Sequence, residues 1–424
     1  MTDSRPTYHI WTVGCQMNKA DSARLAAELE ARGYVVAPSA DEADIVVLNS
    51  CVVRQSAENR VLSKLSSLRP VKRSRPQASI ALTGCMVDGN VSDLERRFPH
   101  VDAFFGPQAF QDFMATVRPA GEAPAEPVHE LQICEFVPII MGCDKFCTYC
   151  IVPYRRGRER SRPLDEIHCE VERLVARGVR EVTLLGQNVD SYGHDLPGKP
   201  DLADLLRSVN DISGLERIRF LTSHPRDMTD RLVKAVAGLS KVCEHINLPV
   251  QAGNDDMLRR MGRRYSVSQY TDLVERIRAL IPQVSLSTDV IVGFPGETEE
   301  QFGGTVALLQ GLRFDTVHVA AYSPRPGTAA ARLPDDIPFG EKKRRLQLLE
   351  TLQEEIAREN NGRLVGTQVE VLVEQRKGDK WEGRTRTNKI VHFSDSAEHL
   401  GKLVDVVIEK SSPWSLTGRL PAAS

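Results

Sequence analysis

The chain has 424 residues, of which 41% are hydrophobic and 26% charged, with a formal net charge of -2 at pH 7. That length asks for two or three cores rather than one, and the near-neutral balance excludes a generally basic nucleic-acid coat while leaving room for local patches. The longest apolar runs, such as IVVL at 45–48, fall far short of a membrane span, and the opening MTDSRPTYHIW lacks the basic and apolar regions of a signal peptide, so a cytoplasmic protein without membrane association is expected.

The first 115 or so residues alternate β-rich runs with helical patterns. YHIWTVGC (8–15), ADIVVLNSC (43–51) and ASIALTGC (78–85) read as buried parallel strands, and SARLAAELEARG (22–33) as a helix ending at glycine. Asp21 and Ser22 are expected to cap that helix. Each of the three strands runs into a cysteine. In an open α/β sheet the carboxyl ends of the strands share one edge, so Cys15, Cys51 and Cys85 are placed to converge there, although taken alone they also read as incidental. RPAGEAPAEPVHE (118–130) has no apolar period and reads as a linker.

From about 131 to 335 six further strands are expected, near 136–142, 179–185, 216–222, 243–249, 284–292 and 315–322, with helices such as 165–178 and 272–281 between them. This is the pattern of a parallel βα barrel or part of one, whose active-site face is the carboxyl edge. A long helix over 339–364 leads to five short strands without helices, which suggest a small antiparallel barrel, an architecture often used on nucleic acid. Domains are expected at 6–122, 129–360 and 362–424, in a monomer.

Nine cysteines in a reduced compartment favour metal or redox chemistry over disulfides. Cys143, Cys147 and Cys150 form C-x3-C-x2-C on the loop leaving the first barrel strand. Structural zinc usually takes four ligands, and no fourth Cys or His lies nearby. Three thiolates suit a four-iron cluster with one iron left open. Cys134, Cys169 and Cys243 lie in apolar-periodic stretches and are expected in the core.

That cysteine spacing, with aromatic Tyr149 just before the last cysteine and on the first strand-end of a βα barrel, resembles the radical S-adenosylmethionine enzymes. In that family the open iron binds S-adenosylmethionine, whose reductive cleavage gives a 5'-deoxyadenosyl radical. VIVGFPGE (290–297) is similar to the family's glycine-bearing strand against adenine. GCQMN, NSCVVR and GCM in the first domain resemble motifs of the methylthiotransferase subgroup, which carries two 4Fe-4S clusters. The resemblance implies that Cys143, Cys147 and Cys150 hold the cleaving cluster and Cys15, Cys51 and Cys85 a sulfur-bearing one. It covers nearly the whole chain, the last domain included, which is similar to the TRAM domain of these enzymes.

Within the subgroup, FCTYCIVPYRRGRERSRP, LLGQNVDSYG, TSHP, LPVQAGN, STDVIVGFPGET and YSPRPGT resemble most closely the members that modify a dimethylallyl-adenosine just 3' of the tRNA anticodon. Ala252 and Asn254 stand where serines are commoner, and Gly262 where asparagine is. The resemblance implies S-adenosylmethionine contacts at Tyr149, Gln187, Ser223, Gln251, Arg263 and Asp289, each of which could instead serve a helix or loop; His224 is given no proton-transfer role. From Pro153 to Pro163 there are five arginines and one glutamate, a local charge of +4. Arg155, Arg156 and Arg158, with Arg160 and Arg162, are candidates for anticodon stem-loop phosphates, and Arg384 and Arg386 of the last domain for a second RNA contact. A run of charge is also what a solvated face looks like. An electron donor and a sulfur donor are further implied partners. Two other readings stand beside this one: a methylthiotransferase acting on threonylcarbamoyl-adenosine or on a ribosomal-protein aspartate, and a non-catalytic iron-sulfur RNA-binding protein.

Overall fold

The computed structural model describes residues 5–52, 55–87, 91–107, 109–119 and 132–421. Most of the expected linker, 120–130, lies outside them. The described residues form two compact units: 5–119 with 141–144 and 151–158, and 132–140 with 145–150 and 159–421.

In the first unit, strands β1 (Thr7–Thr12), β2 (Val35–Val36), β3 (Ile45–Ser50), β4 (Ser79–Gly84) and β5 (Ala103–Phe105) form one sheet in the order β2-β1-β3-β4-β5. Every neighbouring pair is parallel. The unbroken apolar run of β3 follows from its place: Val46 and Leu48 pack on one face with Val61, Leu65 and Ile80, and Ile45 and Val47 on the other with Leu25, Leu29 and Phe113. The first helix, Gln16–Ala31, starts earlier than its apolar period suggested, with Cys15 at its N-cap position. Asp21 and Ser22 therefore sit inside the helix and do not cap it. The chain turns from strand to helix directly at Gly14 and Cys15, leaving no loop for a later start.

In the second unit, β6 (Cys134–Pro138) is the first of six parallel strands. Two short strands, β7 (Ile140–Met141) and β8 (Arg160–Ser161), flank the cysteine loop, and β9 (Glu181–Leu185), β10 (Arg217–Phe220), β11 (His245–Asn247), β12 (Ser285–Val292) and β13 (Thr316–Ala321) follow. The orders β10-β9-β6 and β11-β12-β13, linked by an Ile218–Val242 bridge, put the six long strands side by side in chain order, a partial barrel. Cys243 is buried in this unit, and Cys134 is half-buried. Cys169, expected in the core, is exposed: on helix Leu164–Ala176 the buried residues are Ile167 and Val171, and Cys169, two positions from each, points away from that face.

A 24-residue helix, Phe339–Gly362, leads into the closed barrel β14 (Gln368–Lys377), β15 (Lys380–Thr385), β16 (Ile390–Phe393), β17 (Leu403–Ser411) and β18 (Leu416–Arg419). The barrel was expected to be antiparallel, but β16 and β18 pair in parallel. A ring of five strands cannot alternate direction all the way round, so at least one neighbouring pair must be parallel.

Arginines fasten this barrel to the larger one. Arg217, wholly buried, donates to Glu370 Oε1 at 2.8 Å and to the Arg384 carbonyl at 2.6 Å. Arg219 pairs with buried Glu181 at 2.9 Å and donates to the carbonyls of Thr385 and Arg386, each at 2.7 Å. The Arg386 side chain returns to Glu244 at 2.8 Å and to the Val242 carbonyl at 2.6 Å. Arg386 was expected on RNA; here all three of its guanidinium nitrogens bind protein, because the β15–β16 hairpin docks on the barrel. Arg384 faces Glu374 at 3.3 Å and Asn388 at 3.3 Å. Glu181→Ala leaves Arg219 buried beside an uncompensated site and is expected to cost about 3–5 kcal/mol of stability, read by urea unfolding.

Candidate functional site

Cys15, Cys51 and Cys85 follow β1, β3 and β4, three adjacent strands, at their carboxyl ends. The sheet order reverses between β1 and β3, which is where open α/β sheets bind ligands. The loops approach closely: a Cβ on Gly14 would lie 2.7 Å from the Cys51 Cβ. Cys85 N donates to the Ser50 carbonyl at 3.0 Å. Two wholly or nearly buried asparagines hold the edge together. Asn18 Nδ2 donates to Asn49 Oδ1 at 3.0 Å and the Ser50 carbonyl at 2.8 Å, and Asn49 Nδ2 donates to the Asn18 carbonyl at 2.8 Å and Ser22 Oγ at 3.0 Å. Cys15 Sγ in turn donates to Asn18 Oδ1 at 3.3 Å. Both asparagines lie in motifs legible in the sequence, GCQMN and NSCVVR, but nothing in the sequence showed that they bind each other.

The arginine run divides by burial. Arg156 is 2% exposed, ion-pairs with Asp21 at 2.8 Å and lies beside Cys85. It is therefore not available to phosphates; the short helix Val152–Arg156 turns its side chain into the first unit. Burial pushes the Cys85 thiol up, and Arg156 beside it pulls the other way. Arg155 is half-buried, and burial lowers its pKa against the field of Cys85. Arg162 donates to Glu170 at 2.5 Å and to the Pro138 carbonyl at 2.8 Å. Arg158, which meets Asp144 at 2.6 Å, and Arg160 are exposed, as are the aromatic rings of Phe146 and Tyr154.

Within the second unit the end of the cysteine loop is fixed on several sides. Thr148 N donates to the Met261 carbonyl at 3.0 Å, Cys150 N to the Cys147 carbonyl at 2.9 Å, and Lys145 Nζ lies 2.6 Å from Asp227. Arg263, 7% exposed, reaches the Cys147 sulfur with Nη1 at 3.6 Å, the Pro249 carbonyl with Nη2 at 2.8 Å and Tyr265 with Nε at 2.9 Å. Tyr149 packs on the barrel core. Gln187 follows β9. Ser223, at the end of β10, donates to Asp190 Oδ1 at 2.9 Å. Gln251 N donates to the Asp289 carbonyl at 2.8 Å, and the Asp289 carboxylate accepts from Asn247 at 3.1 Å. Three non-glycine residues here have positive φ: Phe146 (48°), Thr222 (72°) and Gln251 (76°). Such strained positions gather at functional edges.

The departures in sequence have simple roles. Asn254 accepts from the amides of Asp256 and Met257 and so caps helix Asp255–Arg260 as a serine would. Gly262 has φ +74°, a conformation that glycine and asparagine tolerate best.

Asp190, Asn188, Asp227 and Lys145 were not singled out from sequence. Asn188 Nδ2 donates to Asp227 at 2.7 Å, and burial pushes the Asp190 carboxyl up to about 7, although the His224 amide and Ser223 hydroxyl donate to it. Burial, with Arg263 next, pushes His224 down to about 2; burial, with Arg219 next, pushes His245 down to about 3. Below pH about 6.5 the unfolded chain protonates both imidazoles and the fold does not, so they make stability fall as pH drops. Asp190 acts in the opposite sense between about pH 4 and 7, since the fold keeps a proton that the unfolded chain releases. Urea unfolding of the iron-free chain is expected to show a loss on acidification from pH 6.5 to 5 that is shallower in His224→Gln and steeper in Asp190→Asn.

The donor sets fit the groups that the cysteines imply. Each trio offers three sulfurs and leaves one position of a four-iron cluster for another ligand; the first trio has a buried cation against it, and Cys147 of the second receives an arginine donor. Comparisons with known proteins place the domains. Residues 7–106 match the uncharacterized protein family UPF0004, residues 137–309 the radical SAM superfamily and residues 362–420 the TRAM domain. A protein of Dehalococcoides mccartyi (strain ATCC BAA-2266 / KCTC 15142 / 195) named tRNA-2-methylthio-N(6)-dimethylallyladenosine synthase is 51% identical over 98% of both chains. One of the same name from Roseiflexus sp. (strain RS-1) is 54% identical over 97% of this chain and 89% of its own. Among solved structures, the radical S-adenosylmethionine methyltransferase TsrM of Kitasatospora setae, with cobalamin and a [4Fe-4S] cluster bound, has a TM-score of 0.55 at 16% identity. It covers 77% of this chain and 74% of that one, a likeness of fold. Two sets of strand-end cysteines, the three matched domains and relatives about half identical over nearly the full length lead to one conclusion: the chain belongs to the tRNA-2-methylthio-N(6)-dimethylallyladenosine synthase family of radical SAM enzymes.

Proposed function

We propose that the chain is a radical S-adenosylmethionine methylthiotransferase that converts N6-dimethylallyladenosine beside the tRNA anticodon, at tRNA position 37, to its 2-methylthio derivative. The observation that carries this reading is one cysteine trio at the carboxyl ends of three parallel strands and a second on the loop after the first barrel strand, in a chain so close to proteins of that name. In this reading Cys143, Cys147 and Cys150 hold one 4Fe-4S cluster and Cys15, Cys51 and Cys85 a second. When bound, the first supplies the electron that cleaves S-adenosylmethionine to a carbon radical, and the second a place to carry sulfur. The chain's own work is to fix and shield these groups. Arg263 gives Cys147 a charge-assisted donor, and Lys145 ties the cysteine loop to Asp227. Ser223, Gln251 and Asp289, with Gln187 and Tyr149, are assigned to S-adenosylmethionine; Ser223 is oriented by Asp190 and Asp289 by Asn247.

For tRNA, the reading keeps Arg155, Arg158 and Arg160 and adds the exposed rings of Phe146 and Tyr154, which suit stacking on unpaired bases. No helix of the described residues is long and apolar enough to cross a membrane. The test is an anaerobic assay of the reconstituted chain with reductant, S-adenosylmethionine and three anticodon stem-loops, bearing dimethylallyl-adenosine, threonylcarbamoyl-adenosine or unmodified adenosine. Methylthiolation of the first alone is expected. Modification of the second instead would transfer the reading to the other substrate class, and no 5'-deoxyadenosine with any RNA would leave a non-catalytic iron-sulfur protein.

A further inference from the structure

We propose that Arg156, held by Asp21, is a positioning residue of the sulfur-bearing site, and that its guanidinium beside Cys85 sets the reduction potential of the cluster there. The inference rests on the reading of Cys15, Cys51 and Cys85 as cluster ligands. Six residues beyond Cys150, Arg156 lies in the first unit, 2% exposed, with Asp21 at 2.8 Å and its charge felt at Cys85. A buried guanidinium is costly unless paired, and a buried Arg–Asp pair contributes little stability over apolar residues of the same volume. A purely structural role thus gives weak reason for this pair. Three thiolates and a cluster, by contrast, gather negative charge at the strand edge, and a permanently charged guanidinium beside one of the sulfurs offsets it. Hydrogen bonds to sulfur and net charge are the protein's means of setting such potentials. The arrangement also divides the labour of the arginine run: Arg156 serves the first unit's site, while Arg158 and Arg160 remain on the surface.

The experiment uses the full chain carrying Cys143→Ala, Cys147→Ala and Cys150→Ala, so that only the sulfur-bearing site can hold iron. Iron and sulfide per chain are measured after anaerobic reconstitution, then the midpoint potential by redox titration followed by electron paramagnetic resonance. Adding Arg156→Gln is expected to lower the potential so that the reduced fraction at a fixed potential falls about tenfold, near 59 mV for one electron. Arg156→Lys is expected to recover most of that shift. Asp21→Asn, which leaves the cation without its counter-charge, is expected to move the potential the other way. Equal potentials in parent and Arg156→Gln would overturn the proposal. Should Arg156→Gln not fold, an unmoved potential in Asp21→Asn overturns it in the same way. A parent that takes up no iron overturns the cluster reading and this inference with it, an outcome visible at the iron assay before any potential is measured.

Discussion

Replacing Cys147 with alanine is expected to abolish 5'-deoxyadenosine formation, by on the order of a thousandfold or more, while about four iron atoms per chain remain at the other site. The loss is large because three thiolates act as one unit, and a cluster that has lost one of three protein ligands is not held in reach of S-adenosylmethionine. Cys147 is also the sulfur that receives Arg263, so its removal strips a buried guanidinium of one acceptor. Arg263→Met separates the two effects: iron stays, and S-adenosylmethionine cleavage falls less than in Cys147→Ala. Iron analysis and chromatography of the nucleoside products read both variants. Undiminished 5'-deoxyadenosine in Cys147→Ala would contradict the assignment of the cleaving cluster.

Cys51→Ala is expected to give the opposite division. S-adenosylmethionine is still cleaved, about half the iron is lost, and methylthiolated RNA falls by about a hundredfold or more. Cys51 is the central residue of its trio, following the middle strand of the sheet and lying against Gly14 on one side and the Ser50–Cys85 contact on the other. Asn18→Ala, which removes the donor to Asn49 and to the Ser50 carbonyl, is expected to mimic part of this loss through slower cluster incorporation. Retention of full methylthiolation by Cys51→Ala would show that the first unit carries no sulfur.

The candidate site groups most legible in the sequence were those whose chemistry is written in residue type and spacing. Cysteines at three strand ends could be placed on one edge because parallel strands order their carboxyl ends, and the sheet order puts β1, β3 and β4 side by side. The six barrel strands were legible for the same reason, each an apolar run ending in polar residues. What could not be read was which partner a charged side chain takes. Arg156, Arg158 and Arg386 look alike in a basic run, yet one is buried on Asp21, one exposed beside Asp144 and one bound to Glu244. Their partners lie 135, 14 and 142 residues away in sequence. The Asp190–Ser223 and Lys145–Asp227 contacts were hidden likewise, since aspartates after strands also serve as ordinary helix caps. The parallel β16–β18 pair escaped because strand direction follows from closing the ring, not from any one strand's pattern.

In the proposed reaction a hydrogen leaves the adenine ring and a methylthio group takes its place. It is tested most directly with an anticodon stem-loop whose dimethylallyl-adenosine carries deuterium at C2, incubated anaerobically with the reconstituted chain, reductant and S-adenosylmethionine, and analysed by mass spectrometry. The expected products are RNA that has exchanged one deuterium for one methylthio group and 5'-deoxyadenosine that has gained the deuterium. RNA that keeps its deuterium while 5'-deoxyadenosine accumulates without it would rule this reaction out.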